Sequence, residues 1–172
     1  KEQDELLWVA YLNGILNLNP DSLAVERDFN ELLGNNYLFT CLPISRNNFF
    51  IGTSGNGILN IRNGKLTSWL DNHSIYSMAI KGDHVILGTE KSGVYCINTT
   101  TNNVTQISAL NKVLNIISLE NGYVLATDSE NFYIDDAFKF SYQLPGMGLS
   151  GLHNNSGTEN SSSIYLGYKD GI

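Results

Sequence analysis

The chain has 172 residues, 42% of them hydrophobic and 16% charged, with a formal net charge of −7. That is enough apolar material for a folded core, and ten Lys and Arg are too few for a phosphate-binding stripe. A disordered tail, a nucleic-acid binder and a protein drawn to anionic membranes are therefore disfavoured. No stretch approaches the roughly twenty apolar residues of a membrane span, and no secretory signal is visible. The start at Lys1-Glu2-Gln3-Asp4-Glu5 reads as a cut from something longer.

Five segments carry one pattern: bulky apolar residues, a small residue, then Thr or Tyr. They are Leu7–Tyr11, Phe50–Thr53, Ile86–Thr89, Val124–Thr127 and Tyr165–Tyr168. With Ala10, Gly52, Gly88, Ala126 and Gly167 as anchors, the spacings are 42, 36, 38 and 41. A period near forty residues built from strand-like segments is the mark of β-propeller blades.

In chain order, Leu7–Tyr11 predicts an anchor strand, and Gly14-Ile15-Leu16-Asn17-Leu18 a second strand with period-two alternation. Residues 22–33 permit a helix, but their place in the repeat assigns strand. Tyr37–Leu42 then leads into the next anchor strand at Phe50. Gly57-Ile58-Leu59-Asn60 and the Asn63-Gly64 hairpin signal before Leu66–Trp69 complete that repeat. Ile75–Ile80, Val94–Ile97 and Val104–Ile107 repeat the order, as do Val113–Leu119 and Phe138–Tyr142. Asn131-Phe132 replaces the Gly-led opening in the fourth repeat. Leu149–His153 is a weak counterpart of the strand that precedes each anchor, and Gly171-Ile172 opens one more second strand.

The expectation is all-β: four-stranded antiparallel sheets, strands a to d, with the anchor strand as b. Blade boundaries fall near residues 35, 73, 112 and 148. Residues 1–172 would form about 4.5 blades, an incomplete portion of a larger propeller whose remaining blades are its first partners. A small anchor lets neighbouring sheets approach closely. Trp8, Phe50, Leu87, Leu125 and Leu166 are expected to fill the space between blades.

Leu7-Trp8-Val9-Ala10-Tyr11 with Gly14-Ile15-Leu16-Asn17, and Phe50-Ile51-Gly52-Thr53 with Gly57-Ile58-Leu59-Asn60, resemble the two-component-regulator propeller repeat. Asn36–Phe39 and Ser74–Met78 are similar to its innermost strand. The likeness runs from residue 6 to 172, weakest in the fourth repeat. No Trp-Asp dipeptide or kelch-type Gly-Gly pattern points to another propeller class. The resemblance implies the periplasmic sensor region of a hybrid two-component system, as in gut Bacteroidetes. Such a region detects glycan-derived oligosaccharides and controls a histidine kinase beyond a membrane span. No ligand motif of the family matches here, so no site is transferred.

Chemistry-bearing residues are scattered. Cys41 and Cys96 occupy unrelated repeat positions and read as small buried hydrophobes. His73, His84 and His153 lack metal-ligand spacing. Adjacent Asp135 and Asp136 point to opposite faces of a strand and suit a turn. Gly52–Gly57 has glycine spacing reminiscent of a phosphate loop but precedes a strand, not a helix. No catalytic residue, metal or cofactor is expected.

A ligand would meet the face formed by the b–c turns and d–a connections. The residues nominated there are Tyr11, Asn56, His73, Lys91, Glu130, Tyr168 and Lys169, beside Ser54, Glu90, Asp128, Asn36 and Lys112. Aromatic planes beside amides and carboxylates suit a sugar or another small ligand. The alternatives are a protein-interaction scaffold and, more remotely, a propeller lyase or glycosidase; a homodimer is left open.

Overall fold

The computed structural model describes residues 7–110, 112–128, 130–143, 154–159 and 164–168, with backbone only for 141–143 and the last two segments. The chain divides into two compact units, Lys1–Ser74 and Ile75–Ile172.

The first unit opens with β1 (Leu7–Tyr11), β2 (Gly14–Leu18) and β3 (Val25–Asp28), an antiparallel three-stranded sheet in chain order. A single helical turn follows, α1 (Asn30–Leu33). Of residues 22–33, only Val25–Asp28 form strand. The carboxylate of Asp28 accepts the Asn30 N–H at 2.8 Å, and Leu33 is buried beneath the turn. A four-stranded sheet follows: β4 (Leu38–Ser45), β5 (Asn48–Thr53), β6 (Ile58–Arg62) and β7 (Lys65–Trp69). Asn63 and Gly64 both have positive φ, at 51° and 75°, as a two-residue hairpin with right-handed strand twist requires.

The two sheets of this unit share one core. Trp8, Phe29 and Phe49 meet with ring centroids 4.7 to 6.1 Å apart, over Ile15, Leu33, Leu38 and Ile51. Such aromatic pairs contribute about 0.5–1.5 kcal/mol each beyond area burial.

The second unit repeats the plan. β8 (Ile75–Lys81), β9 (His84–Thr89), β10 (Val94–Asn98) and β11 (Val104–Ser108) form one sheet. β12 (Val113–Leu119), β13 (Gly122–Thr127), β14 (Asn131–Asp135) and β15 (Phe140–Gln143) form the next, and β16 (Asn154–Glu159) pairs with β17 (Ile164–Tyr168). Ile86, Val94 and Cys96 of the first sheet pack with Val113, Ile116, Tyr123 and Leu125 of the second.

One register recurs in every a–b pair. Leu38↔Thr53, Ile75↔Thr89, Val113↔Thr127 and Asn154↔Tyr168 open the pairing, and each is followed by a bulge. The next partners are Thr40↔Gly52, Ser77↔Gly88, Asn115↔Ala126 and Ser156↔Gly167, so the anchor always faces a small or short polar residue.

Two sequence expectations are corrected. The strand beside β17 is Asn154–Glu159, not Leu149–His153, which lies outside the described residues. Its sequence, Asn-Asn-Ser-Gly-Thr-Glu, has no apolar alternation to reveal it. Phe138 is not in the fourth strand; it sits in the preceding turn with φ 61° and packs its ring against the core. The residues expected between blades lie on both faces of the anchor strand, which that expectation allows. Trp8 shares its register position with Phe50, Ile86 and Val124, whereas Leu87 and Leu125 correspond to Val9 and Ile51 on the opposite face. Phe50, Leu87 and Leu125 are nonetheless all buried.

Candidate functional site

The b–c turns of the second, third and fourth repeats are built by the threonine that ends the anchor strand. Thr53 Oγ1 accepts the Asn56 N–H at 3.1 Å and donates to the Gly57 carbonyl at 2.7 Å. Thr89 does the same with Ser92 and Gly93, and Thr127 with the N–H and carbonyl of Glu130. Gly57 and Gly93 are required: φ is +68° and +97°, and a Cβ would lie 2.2 and 1.9 Å from the carbonyl oxygens of Trp69 and Ser108. The fourth repeat closes one residue earlier, at Glu130, which is why Asn131 stands where the others have glycine.

In the first repeat Tyr11 replaces this threonine and the turn is rebuilt. The Asn30 Nδ2 donates to the Tyr11 hydroxyl at 2.6 Å, while Asn30 Oδ1 accepts the Ile15 N–H at 3.2 Å. Gly14 lies so close beneath that a Cβ there would be 2.3 Å from the Tyr11 ring and 2.2 Å from Asn30 Oδ1. Tyr11 stays 41% exposed, so its ring is held at one end and open to solvent.

The d–a connection into the second sheet lies beside this turn. The Leu38 N–H donates to the Leu12 carbonyl at 2.7 Å, and Ser54 N–H to the Tyr37 carbonyl at 2.8 Å. Asn56 Nδ2 donates to Asn36 Oδ1 at 2.7 Å, and Asn36 Nδ2 to the Leu33 carbonyl at 2.6 Å. The first unit therefore joins Tyr11, Asn30, Asn36, Tyr37 and Asn56 on its b–c and d–a loops. His73 is tied back into its own turn, Nδ1 lying 3.1 Å from the carbonyls of Leu70 and Asp71, and its own carbonyl accepts the Gly57 N–H at 2.8 Å.

The second unit presents a charged version of the same loops. Lys112 donates its backbone N–H to the Glu90 carbonyl at 2.8 Å and holds its ammonium 3.4 Å from Asp128 Oδ2. Both partners of that ion pair are part-exposed, which makes it worth little in stability. Tyr76, which sequence reasoning missed, hydrogen-bonds Glu90, and its phenol is raised above the ordinary range by burial first and by Glu90 second. Its signal was positional: Phe39, Tyr76 and Leu114 are the extra residues at the bulges of β4, β8 and β12. Bulges often re-aim side chains at functional rims.

Of the nominated residues, Tyr11, Asn56 and His73 belong to the first unit and Lys91, Glu130 and Tyr168 to the second. Lys91 and Glu130 are exposed in b–c turns, Tyr168 ends β17, and Lys169 lies outside the described residues. Cys41 and Cys96 are both free thiols, raised to about 12 and about 11 mainly by burial. Among the described residues no three His, Cys, Asp or Glu side chains come together to hold a metal, and no helix is long and apolar enough to cross a membrane.

No protein-family model matches the chain, and no curated protein matches it. Solved structures do. The extracellular domain of the hybrid two-component system BT4673 from B. thetaiotaomicron superposes with a TM-score of 0.74 at 20% identity, covering 98% of this chain and 24% of that one. The extracellular domain of BT3049 from the same organism gives 0.74 at 17% identity, over 95% and 24%. The β-propeller domain of Cps50 (Swd1) from Myceliophteria thermophila gives 0.71 at 10% identity, over 96% and 63%. The chain thus spans about a quarter of the length of the two bacterial extracellular domains. At these identities the likeness is one of fold, and that fold is the β-propeller blade.

Proposed function

We propose that this chain is the non-catalytic, ligand-sensing propeller region of a hybrid two-component sensor. It faces the periplasm and reports glycan-derived oligosaccharides to a histidine kinase. The fold likeness to extracellular domains of such systems supports the setting. The observation that carries the ligand reading is the first-repeat turn. Where the second, third and fourth repeats bury a threonine, this one exposes a tyrosine ring whose hydroxyl is held by Asn30, in a unit whose loops also carry the paired amides of Asn36 and Asn56. A held aromatic plane beside amide donors and acceptors is what a sugar ring needs: apolar C–H contact on one side, hydroxyl partners on the other.

The test is calorimetry of the chain, and of the longest natural polypeptide carrying it, against oligosaccharides and glycan digests. The mixtures are then examined for cleavage or elimination products. Saturable binding with unchanged sugar is expected. Turnover would replace the sensor by a propeller enzyme.

A second reading, a protein-interaction scaffold, is favoured by one feature. Leu12, Leu32 and Tyr37 are exposed at 62%, 36% and 57% on the same loops. It predicts no sugar binding in either polypeptide and a protein partner lost when Leu12 is changed to Ser.

A further inference from the structure

Charge is unevenly placed in the first unit. Its described Lys and Arg residues are Arg27, Arg46, Arg62 and Lys65. All of them gather around the β4–β5 and β6–β7 turns. Arg46 stands between β4 and β5, and Arg62 pairs with Lys65 where β6 turns into β7. Arg27 donates from β3 to the Arg46 carbonyl at 3.5 Å and to Asn47 Oδ1. The Asn63 N–H donates to the Asn47 carbonyl at 2.8 Å and ties the two turns together. Arg46 also pairs with Glu26 at 2.8 Å.

The loop end of the same unit, where Tyr11 lies, carries the reverse sign. Asp28, Glu31 and Asp71 are exposed there, and among the described residues of the unit no Lys or Arg accompanies them. Asn30 links the first of these to the ring: its N–H donates to the Asp28 carboxylate at 2.8 Å and its Nδ2 to the Tyr11 hydroxyl at 2.6 Å. Glu31 follows in α1. Asp71 flanks the other side. Its carbonyl lies 3.1 Å from His73 Nδ1, and the His73 carbonyl accepts the N–H of Gly57, next to Asn56. The 6 residues of β5 separate the two ends by roughly 17 Å at strand rise. That is about two screening lengths at physiological salt, so the distant cations do not neutralise the loop end. The equivalent loops of the second unit differ, since they carry Lys91 and Lys112.

We propose, on the reading of Tyr11 as a sugar platform, that the loop end of the first unit excludes anionic ligands, so that the oligosaccharide it takes carries neither carboxylate nor sulfate. A uronate or sulfated sugar stacked on Tyr11 would bring negative charge near Asp28 and Glu31 with no Lys or Arg of this unit to meet it. Fixed like charges reject the wrong ligand without weakening an uncharged one. The same carboxylates accept hydrogen bonds from neutral sugar hydroxyls.

The experiment compares nitroxide probes that share one ring and carry an ammonium, an uncharged carboxamide or a carboxylate. NMR reads the relaxation each causes at backbone amides of the 172-residue chain at neutral pH and low salt. At Leu12, Asn13 and Asn56 the carboxylate probe should act about two-fold less than the carboxamide probe, or weaker still, and the ammonium probe more. At Asn63 and Gly64 the order should reverse. Glu31→Gln with Asp71→Asn, both at exposed positions, should shrink the difference at the loops and leave Asn63 unchanged. Equal action of the probes at the loops, a carboxylate probe that approaches them best, or a difference untouched by the double variant would overturn the proposal. Calorimetry supplies the sugar arm. Oligogalacturonides and sulfated heparin fragments should show no binding that depends on Tyr11, and saturable binding of either, lost in Tyr11→Ala, would overturn the proposal too. If no sugar of any charge binds while the order of the nitroxides holds, the sugar reading falls and the exclusion of anions stands.

Discussion

Gly88 of β9 lies against Val113 of β12. A Cβ at residue 88 would stand 2.7 Å from the Val113 carbonyl oxygen, 2.8 Å from its Cγ1 and 2.4 Å from Ser77 Oγ. The Ser77 hydroxyl donates to that same carbonyl at 3.1 Å. The small anchor of the repeat is thus the point where one sheet meets the first residue of the next. Gly88→Ala should cost about 1–3 kcal/mol, because backbone and a bonded hydroxyl would both have to move. Urea unfolding checks it; an unchanged midpoint would show that the sheets separate freely there.

The anchor threonines make a second prediction. Thr89 is buried, and its hydroxyl both accepts from Ser92 N–H and donates to Gly93 carbonyl. Thr89→Val keeps the shape and leaves both backbone groups without that partner. A loss of about 1–3 kcal/mol is expected, with Thr89→Ser retaining most of the stability. Equal losses in the two variants would point to the methyl group rather than the hydroxyl.

These two relationships show how far sequence reading reaches. The anchor period, the strand order and the closeness at Gly88 were legible because strands alternate and glycine marks crowding. The threonine was visible as a repeated letter, but its double hydrogen bond was not, since it depends on turn geometry. α1 escaped because four residues carry no helical period; Asp28 and the buried Leu33 make the turn. Strand Asn154–Glu159 escaped because its polar sequence reads as loop. The ligand face was legible only as a list of loops. Asn30, which orients Tyr11 from nineteen residues away, could be found only in three dimensions.

Alkaline pH should destabilise the fold. Burial raises Cys41 and Cys96 from 9.0 to about 12 and about 11, with Asp83 adding to Cys96, and raises Tyr123 from 10.0 to about 12. Well below pH 9 these groups are protonated in both states and contribute no pH dependence. Above it the unfolded chain releases protons that the folded chain retains, so stability falls as pH climbs toward those raised values. Urea midpoints measured from neutral pH to about pH 11 should decline, and Cys41→Ala should flatten the slope. A midpoint that rises with pH would contradict the burial of these groups. At neutral pH both thiols should resist alkylation until the chain is unfolded.

The last prediction concerns ligand recognition and separates the ring of Tyr11 from its orientation. Tyr11→Ala removes the exposed plane; Tyr11→Phe keeps it but breaks the bond from Asn30, which is the hold on its outer end. If an oligosaccharide stacks on this ring, the alanine variant should lose about 1–3 kcal/mol of binding, as truncated central aromatics do. The phenylalanine variant should lose less, because contact area survives while the ring's angle is no longer fixed. Asn56→Ala should also weaken binding, by removing an amide that sits beside Asn36 at the same rim. Thr105→Ala, on the exposed strand β11, should change nothing. Calorimetry on the polypeptide that binds sugar reads all four. Equal effects at Tyr11, Asn56 and Thr105 would remove the loop face from consideration. A phenylalanine variant as weak as the alanine one would show that the hydroxyl itself, not the ring, meets the ligand.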